Sequence, residues 1–272
     1  TKDRTKWKIL AVAGTPGSGK TRFIAEVLKK PHHSTVEHFN NYLYIHATYN
    51  NGNEVTPLDV RSPARSFALR LLFHYFIEEE RFGSIRASRA LYELDNKLQG
   101  EQVEISDALN LIRKHFIKSN HLADNAMVNI GLGIDEYNKL LVSDSPTSLK
   151  TIVEALGSTM LAPPEGVRLL LLFGGTSVDG ITNAGLGSSF PVQTIRLPLL
   201  NHSSSLEIAE DVLQCVEVRT NPCFRNLILD IGGHPRLLES LLIDVKRYGS
   251  ISDVNWTKVS QTLTQQLDTN LS

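Results

Sequence analysis

The stretch Gly14-Thr15-Pro16-Gly17-Ser18-Gly19-Lys20-Thr21 constrains this chain more than any other, because of what flanks it. The apolar run Ile9-Leu10-Ala11-Val12-Ala13 precedes it, and a helix-like pattern (Phe23, Ile24, Val27, Leu28) follows. Strand, glycine-rich turn and helix in that order are what a phosphate-binding loop, a Walker A motif, requires. The glycines let the backbone wrap close to a polyphosphate, while consecutive amide N–H groups and the helix N-terminus supply oriented positive dipoles. Lys20 adds a point charge at the β and γ phosphates, and the Thr21 hydroxyl completes the coordination of a magnesium ion. Thr15, Pro16, Ser18 and Arg22 complete the candidate nucleotide-binding set. A glycine-rich surface turn is the alternative, and the strand and helix on either side count against it.

The rest of the composition excludes more than it assigns. A chain of 272 residues, 41% hydrophobic and 21% charged, has the makings of an ordinary globular protein with room for a domain of about 200 residues and a smaller one. A formal net charge of -1, with no dense Lys/Arg run, argues against a high-affinity DNA binder acting by itself. Cys215 and Cys223 have no third cysteine to build a metal set with and read as reduced thiols. The longest apolar stretch, Leu169 to Phe173, is too short to cross a membrane, so no membrane partner is expected. The chain starts at Thr1 and enters its first strand almost at once, which suggests an excised domain whose targeting segment lies elsewhere.

Along the chain, a helix from Lys20 to Lys29 should stop at Pro31. The polar segment to Asn41 reads as a surface connection, and His32, His33 and His38 lack the companions of a metal site. Tyr42 to Tyr49 has the content of a strand, expected beside the first, and Asn50-Asn51-Gly52-Asn53 marks a turn. Pro63 opens a helix apolar on nearly all faces and therefore buried. Arg86 to Leu98 and Ile105 to Ile117 read as more polar helices whose basic residues (Arg86, Arg89, Arg113, Lys114) favour solvated faces over a nucleic-acid site.

The second chemical landmark is Met127 to Glu136, an apolar strand ending in Asp135-Glu136. In a parallel sheet such a strand end lies beside the phosphate loop, as a Walker B pair does. Asp135 would hold the magnesium through a water, and Glu136 would orient and deprotonate the attacking water. Gly131 and Gly133 weaken the strand and suggest close packing by a neighbouring element.

A helix capped by Ser145, with Pro146 at its first position, should end near Met160. Val167 to Phe173 reads as a central strand buried on both faces, running into Gly174-Gly175-Thr176-Ser177. Thr176 and Ser177 are candidates to sense the γ phosphate or position the water, against a plain turn. Val178 to Pro191 reads as a loop and contains no Arg or Lys; Val192 to Leu197 is a last short strand. Beyond it the pattern is helical (203–216, 223–231, 235–247 and 256–267), which places a boundary near Leu200 between a core of residues 1–200 and a helical domain of 201–272. In Gly232-Gly233-His234-Pro235-Arg236 the glycines cap one helix and the proline starts the next. That turn is either architecture or a means of setting Arg236 over the nucleotide as a lid sensor.

Taken together, the phosphate loop, the Asp135-Glu136 strand, the strand ending Gly-Gly-Thr-Ser and the Gly-Gly-His-Pro-Arg turn resemble the STAND and AAA+ groups of P-loop ATPases. That resemblance implies an α/β fold: a parallel-sheet core of the additional-strand, catalytic-glutamate type flanked by helices, plus a C-terminal all-helical lid. More narrowly, Tyr44 to Phe76 resembles the NTPase domain of Crinkler effectors and the related retrotransposon-hot-spot proteins. This implies an intracellular, nucleus-directed protein, delivered into a host cell in some members. Its ATPase would drive an attached C-terminal domain that meets nucleic acid or a host nuclear protein. AAA+ rings commonly take a trans arginine finger from about the region 178–191, and the lack of Arg and Lys there does not support one of the usual placement. The resulting expectation is a magnesium-dependent ATPase with Lys20, Thr176, Glu136 and Arg236 as catalytic candidates and Thr21 and Asp135 on the metal. An ATP-gated interaction module and a phosphotransferase are the alternatives. GTP is disfavoured because Asn138-Lys139 runs into Leu140-Leu141 rather than the guanine-reading Asn-Lys-x-Asp. Whether the chain acts as a monomer or as a nucleotide-dependent oligomer is left open.

Overall fold

The computed structural model of the chain describes residues 7–29, 41–50, 53–77, 87–99, 101–142, 147–188 and 190–271. His32, His33, His38, the Asn51-Gly52 turn, Arg86 and the Ser145-Pro146 helix start lie outside the described residues. Contacts divide the chain into two compact units, one comprising the residues up to Ala13 with Lys20–Arg196, the other Gly14–Gly19 with Leu197–Ser272. The six loop residues thus group with the helical region.

The first unit alternates strands and helices. Its elements are β1 (Ile9–Ala13), α1 (Lys20–Lys29), β2 (Tyr42–Thr48), α2 (Pro57–Arg61), α3 (Pro63–Phe76), α4 (Ala87–Lys97), α5 (Ile105–Ser119), β3 (Val128–Asp135), α6 (Lys139–Val142), α7 (Thr147–Leu161), β4 (Val167–Gly175), α8 (Asp179–Ser188) and β5 (Val192–Arg196). Among the described residues the strands form one five-stranded sheet in the order β2-β3-β4-β1-β5, every pair parallel. β4 is therefore the additional strand, inserted between the strand that feeds the phosphate loop and the strand that carries the acidic pair. The expectation that β2 lies beside β1 is wrong, since β3 and β4 stand between them. Helical crossovers, not sequence order, decide which parallel strands become neighbours.

All eight residues of β3 are buried. Ile130, Leu132 and Ile134 point into the main core with Phe67 and Leu71 of α3, Leu109 and Ile112 of α5, and Ile152 and Leu156 of α7. Gly131 and Gly133 face the other way, against Leu28 and Ile24 of α1; a Cβ at Gly133 would come within 2.4 Å of Ile24 Cγ2. Close packing by α1 is thus what the glycines permit. β4 is fully buried from Leu171 on, but in its first half Arg168 and Leu170 are exposed, so the strand is not buried on both faces throughout as expected.

The expected loop after Val178 holds a helix, α8. Glycines make it a poor helix by propensity. They also allow its packing, since a Cβ at Gly180 would sit 2.2 Å from Leu141 Cδ1 and one at Gly185 would sit 2.9 Å from the Phe190 carbonyl. Ile181 and Ala184 are buried in return. Arg113, expected on a solvated face, instead binds the carbonyls of Gly166, Asp124 and Ala126 at 3.1, 2.6 and 2.9 Å. It ties the chain ahead of β3 to the turn ahead of β4.

In the second unit α9 (His202–Leu213), α10 (Pro222–Asp230), α11 (Pro235–Lys246) and α12 (Trp256–Leu271) enclose a separate core that includes Phe224, Leu238, Leu241, Val259 and Leu263. Asn201 and Asn221 cap α9 and α10 by accepting the Ser204 and Phe224 amides at 2.8 and 3.0 Å. Between α10 and α11, Gly232 and Gly233 have φ of 61° and 77°, and a Cβ at Gly233 would lie 1.9 Å from the Leu200 carbonyl oxygen. Only glycine fits there. Cys215 and Cys223 are free thiols.

Candidate nucleotide site

Within the second unit, the loop is shaped by glycine at the positions that need it. Gly17 and Gly19 have φ of 77° and 91°, and the Ser18 amide donates to the Thr15 carbonyl at 3.1 Å. Gly17 is doubly constrained, because a Cβ there would be 2.8 Å from Arg236 Cβ and 2.9 Å from His234 Cε1. The Arg236 amide donates to the Gly17 carbonyl at 3.3 Å, and Thr15 Oγ1 lies 3.4 Å from His234 Nε2. The Gly-Gly-His-Pro-Arg turn and the glycine-rich loop are therefore one local structure. Thr15, Pro16 and the Arg236 side chain are exposed. Ser18 Oγ is buried without a hydrogen-bond partner, and a Cβ at Gly14 would lie 2.6 Å from it.

Within the first unit, Lys20 and Thr21 open α1 and Asp135 ends β3. Lys20 is only 4% exposed, while Arg22 points outward. The Thr21 hydroxyl donates to Asp135 Oδ2 at 2.5 Å across 114 residues of sequence. Asp135 Oδ1 accepts the Glu136 amide at 3.0 Å, and His46 Nε2 stands 3.8 Å from Oδ2. Burial pushes the Asp135 carboxyl up, but His46 beside it, the Thr21 hydroxyl and the Glu136 amide together hold it below the usual carboxylate range. The group is ionised at neutral pH.

The Thr21 hydroxyl and the Asp135 carboxylate fit magnesium chemically, since both are hard oxygen donors. No group of three or more His, Cys, Asp and Glu that would make an all-protein metal cage occurs among the described residues.

Glu136 is half-buried and has φ of 56°, a left-handed backbone that costs a residue with a Cβ about 1–3 kcal/mol. Its neighbours hold it there. The carbonyl of Asp135 accepts the Tyr49 amide at 3.2 Å, and the Tyr137 amide reaches the Gly174 carbonyl at 3.2 Å. The buried Tyr137 hydroxyl donates to the Ser177 carbonyl, and Asn138 Oδ1 accepts the Thr176 amide at 3.3 Å. Tyr137, which the sequence did not single out, and Asn138, read there only against a guanine motif, thus fasten the turn after Asp135 to the end of β4. Gly174 lies against the Asp135 carboxylate, where a Cβ would be 2.8 Å from Oδ1.

The candidates at the end of β4 are less engaged with the acidic pair. Thr176 and Ser177 are exposed, and the Ser177 hydroxyl is occupied with Asp179, donating to its carboxylate at 3.3 Å and accepting its amide at 3.2 Å. Ser177 is therefore committed to the turn ahead of α8. Thr21, Asp135 and Glu136 are brought together; Gly17, His234 and Arg236 form a second group.

No protein-family model and no curated protein matches the sequence. Solved structures do resemble it. The Aeropyrum pernix ORC2 protein, determined as ADPNP–ADP complexes, aligns over 96% of this chain and 62% of its own at 14% identity and a TM-score of 0.53. Drosophila ORC bound to DNA aligns over 96% and 56% at 14% identity and a TM-score of 0.45. Domain III of the Thermotoga maritima replication initiation protein DnaA aligns over 96% and 85% at 13% identity and a TM-score of 0.44. The chain spans less than two thirds of either ORC chain. With the strand order, the likeness to the Aeropyrum pernix protein gives the fold alone: an α/β unit with a five-stranded parallel sheet flanked by helices, matching the AAA+ ATPase fold, and a helical C-terminal region.

Proposed function

We propose that this protein is a magnesium-dependent ATPase whose nucleotide cycle switches or drives an attached domain. The observation that carries the proposal is the meeting of the Thr21 hydroxyl and the Asp135 carboxylate at 2.5 Å, directly after a glycine-rich loop and directly before Glu136. In this reading the loop amides from Gly14 to Gly19 and the Lys20 ammonium bind the β and γ phosphates. Thr21 and Asp135 hold the metal, which when bound neutralises developing phosphate charge. Glu136 orients the attacking water and takes its proton, and Thr176 is the candidate to sense the γ phosphate or position that water. Arg236 reports the nucleotide state to the helices, and the core of 1–200 and the helical region of 201–272 act as engine and lid.

Phosphate release from ATP and from GTP, measured with magnesium beside a Glu136→Gln variant, tests the proposal. ATP turnover that disappears in the variant supports it; turnover unchanged by the substitution refutes Glu136 as the base. A DNA-containing arm asks whether nucleic acid stimulates turnover.

A second reading, an ATP-gated interaction module with little turnover, is favoured by one specific observation. The Arg236 amide holds the Gly17 carbonyl and His234 Nε2 meets the Thr15 hydroxyl, so a change in the loop on binding nucleotide passes directly into α11. Tight ATP binding without turnover selects this reading. The resemblance of Tyr44–Phe76 to Crinkler-type effectors supports the narrower proposal of a nucleus-directed module coupled to an effector domain.

A further inference from the structure

Beyond the residues that a phosphate loop demands, β2 delivers a side chain to the metal carboxylate by a regular device. Tyr42, Tyr44, His46 and Thr48 share one face of β2, and each of the first three reaches the β3 residue two positions beyond its own register partner. Tyr42 pairs with Asn129 and lays its hydroxyl over Gly131, where a Cβ would be only 1.7 Å away. Tyr44 pairs with Gly131, and its hydroxyl lies 3.4 Å from the Cβ position of Gly133. His46 pairs with Gly133 and directs Nε2 to within 3.8 Å of Asp135 Oδ2. At the first two steps β3 offers glycine; at the third it offers a carboxylate.

The ring is held in place for this. It stacks on Tyr44 with centroids 6.1 Å apart and planes 15° from parallel. Nε2 is buried and makes no hydrogen bond, because it stops short of the carboxylate oxygen that already accepts the Thr21 hydroxyl. A polar ring atom is not left buried at such a spot without cost. If Thr21 turned its hydroxyl to a magnesium ion, Asp135 Oδ2 would lose that donor, and His46 Nε2 stands 3.8 Å from the same oxygen.

We propose that His46 is a positioning residue for the metal carboxylate: as the Nε2–H tautomer it donates to Asp135 Oδ2 in the magnesium–nucleotide state and keeps that oxygen oriented. This rests on the reading of Thr21 and Asp135 as metal-holding groups. Carboxylates that hold metals are usually oriented by such outer hydrogen bonds, and their loss costs metal affinity about 10–100-fold.

The test compares His46→Phe, which keeps the ring and its stack on Tyr44 but has no donor, with His46→Gln, which restores one. Binding of a fluorescent ATP analogue is measured in EDTA and across a magnesium titration, so that turnover is not the readout. The expected result is that His46→Phe raises the magnesium concentration for half-maximal enhancement about tenfold or more. Its affinity in EDTA should stay within about twofold of wild type, and His46→Gln should recover most of the magnesium response. An unchanged magnesium response in His46→Phe overturns the proposal, and so does an equal loss in EDTA and in magnesium, which marks a structural role. Wild-type binding that ignores magnesium and Thr21→Ala alike overturns the underlying site reading instead.

Discussion

Removing one carboxylate, Asp59, should cost this fold more than its distance from the nucleotide loop suggests. Asp59 and Arg70 form an ion pair at 2.9 Å with both side chains 0% exposed. Asp59 also accepts the Thr56 amide, the Thr56 hydroxyl and the Ser66 hydroxyl, each at 2.7 Å. Through its two terminal nitrogens Arg70 also donates to the carbonyls of Thr48, Asn53 and Glu54 at 3.2, 2.8 and 3.3 Å, and its guanidinium lies 4.3 Å from the Tyr49 ring centre. The pair thereby pins the chain leaving β2, whose Tyr49 amide in turn holds the Asp135 carbonyl.

Asp59→Ala leaves a guanidinium that cannot shed its proton, inside a core that offers it only carbonyls and an aromatic face. Breaking a buried pair from one side costs about 3–5 kcal/mol. The surviving carbonyl contacts place this case near the lower end, about 3 kcal/mol, against a total stability of roughly 5–15 kcal/mol. Asp59→Asn separates charge from shape and should recover less than about 1 kcal/mol of the loss, because the amide keeps the volume but not the countercharge. Urea unfolding is followed by circular dichroism and by Trp7 fluorescence in a Trp256→Phe background, these being the two tryptophans of the chain. With a slope near 2 kcal/mol per molar urea, the Asp59→Ala midpoint should fall by about 1.5 M. A shift under about 0.3 M, or full recovery in Asp59→Asn, would refute the reasoning that an uncompensated buried charge is what matters.

Lys20→Ala should weaken triphosphate binding at least tenfold by removing a charge-assisted contact, as measured by isothermal titration; unchanged affinity would sink the assigned loop. Arg236→Ala should lower ATP turnover severalfold more than it lowers ATP affinity, because its side chain is exposed while its amide, which the substitution keeps, is what bonds Gly17. Equal losses would mean that the side chain is structural. Gly133→Ala should cost about 1–3 kcal/mol in chemical denaturation, since the new methyl meets Ile24 Cγ2 at 2.4 Å; a neutral result would mean that α1 shifts freely.

How much of this was legible in the sequence varies by element, for physical reasons. α1 is found where it was expected, Lys20–Lys29, because a turn motif fixes its start. Asp135 and its strand are equally plain, since an apolar run that ends on an acidic pair states both burial and chemistry. α8 was hidden because its glycines argue against helix locally and are explained only by Leu141 and Phe190, which pack from elsewhere. Arg70 sits inside the apolar run Phe67–Phe73, and nothing local says that its partner lies eleven residues back. His46 could have been found: strand alternation puts it on the face of Tyr42 and Tyr44, and only the register with β3 was missing. The loop's grouping with the helical region was not legible, because that depends on contacts made by residues more than two hundred positions later.

The glycines of β3 and the tyrosines of β2 also share a single allotment of space beneath α1. The volume missing at Gly131 is the volume filled by the Tyr42 hydroxyl and ring edge, so neither position is free to change alone. A methyl at 131 needs a smaller residue at 42, and a lost ring at 42 leaves a void that only a larger residue at 131 refills. Sequences descended from this one should therefore exchange these two positions as a linked pair. That coupling is a footprint of the packing that can be sought wherever the phosphate loop itself has drifted beyond recognition.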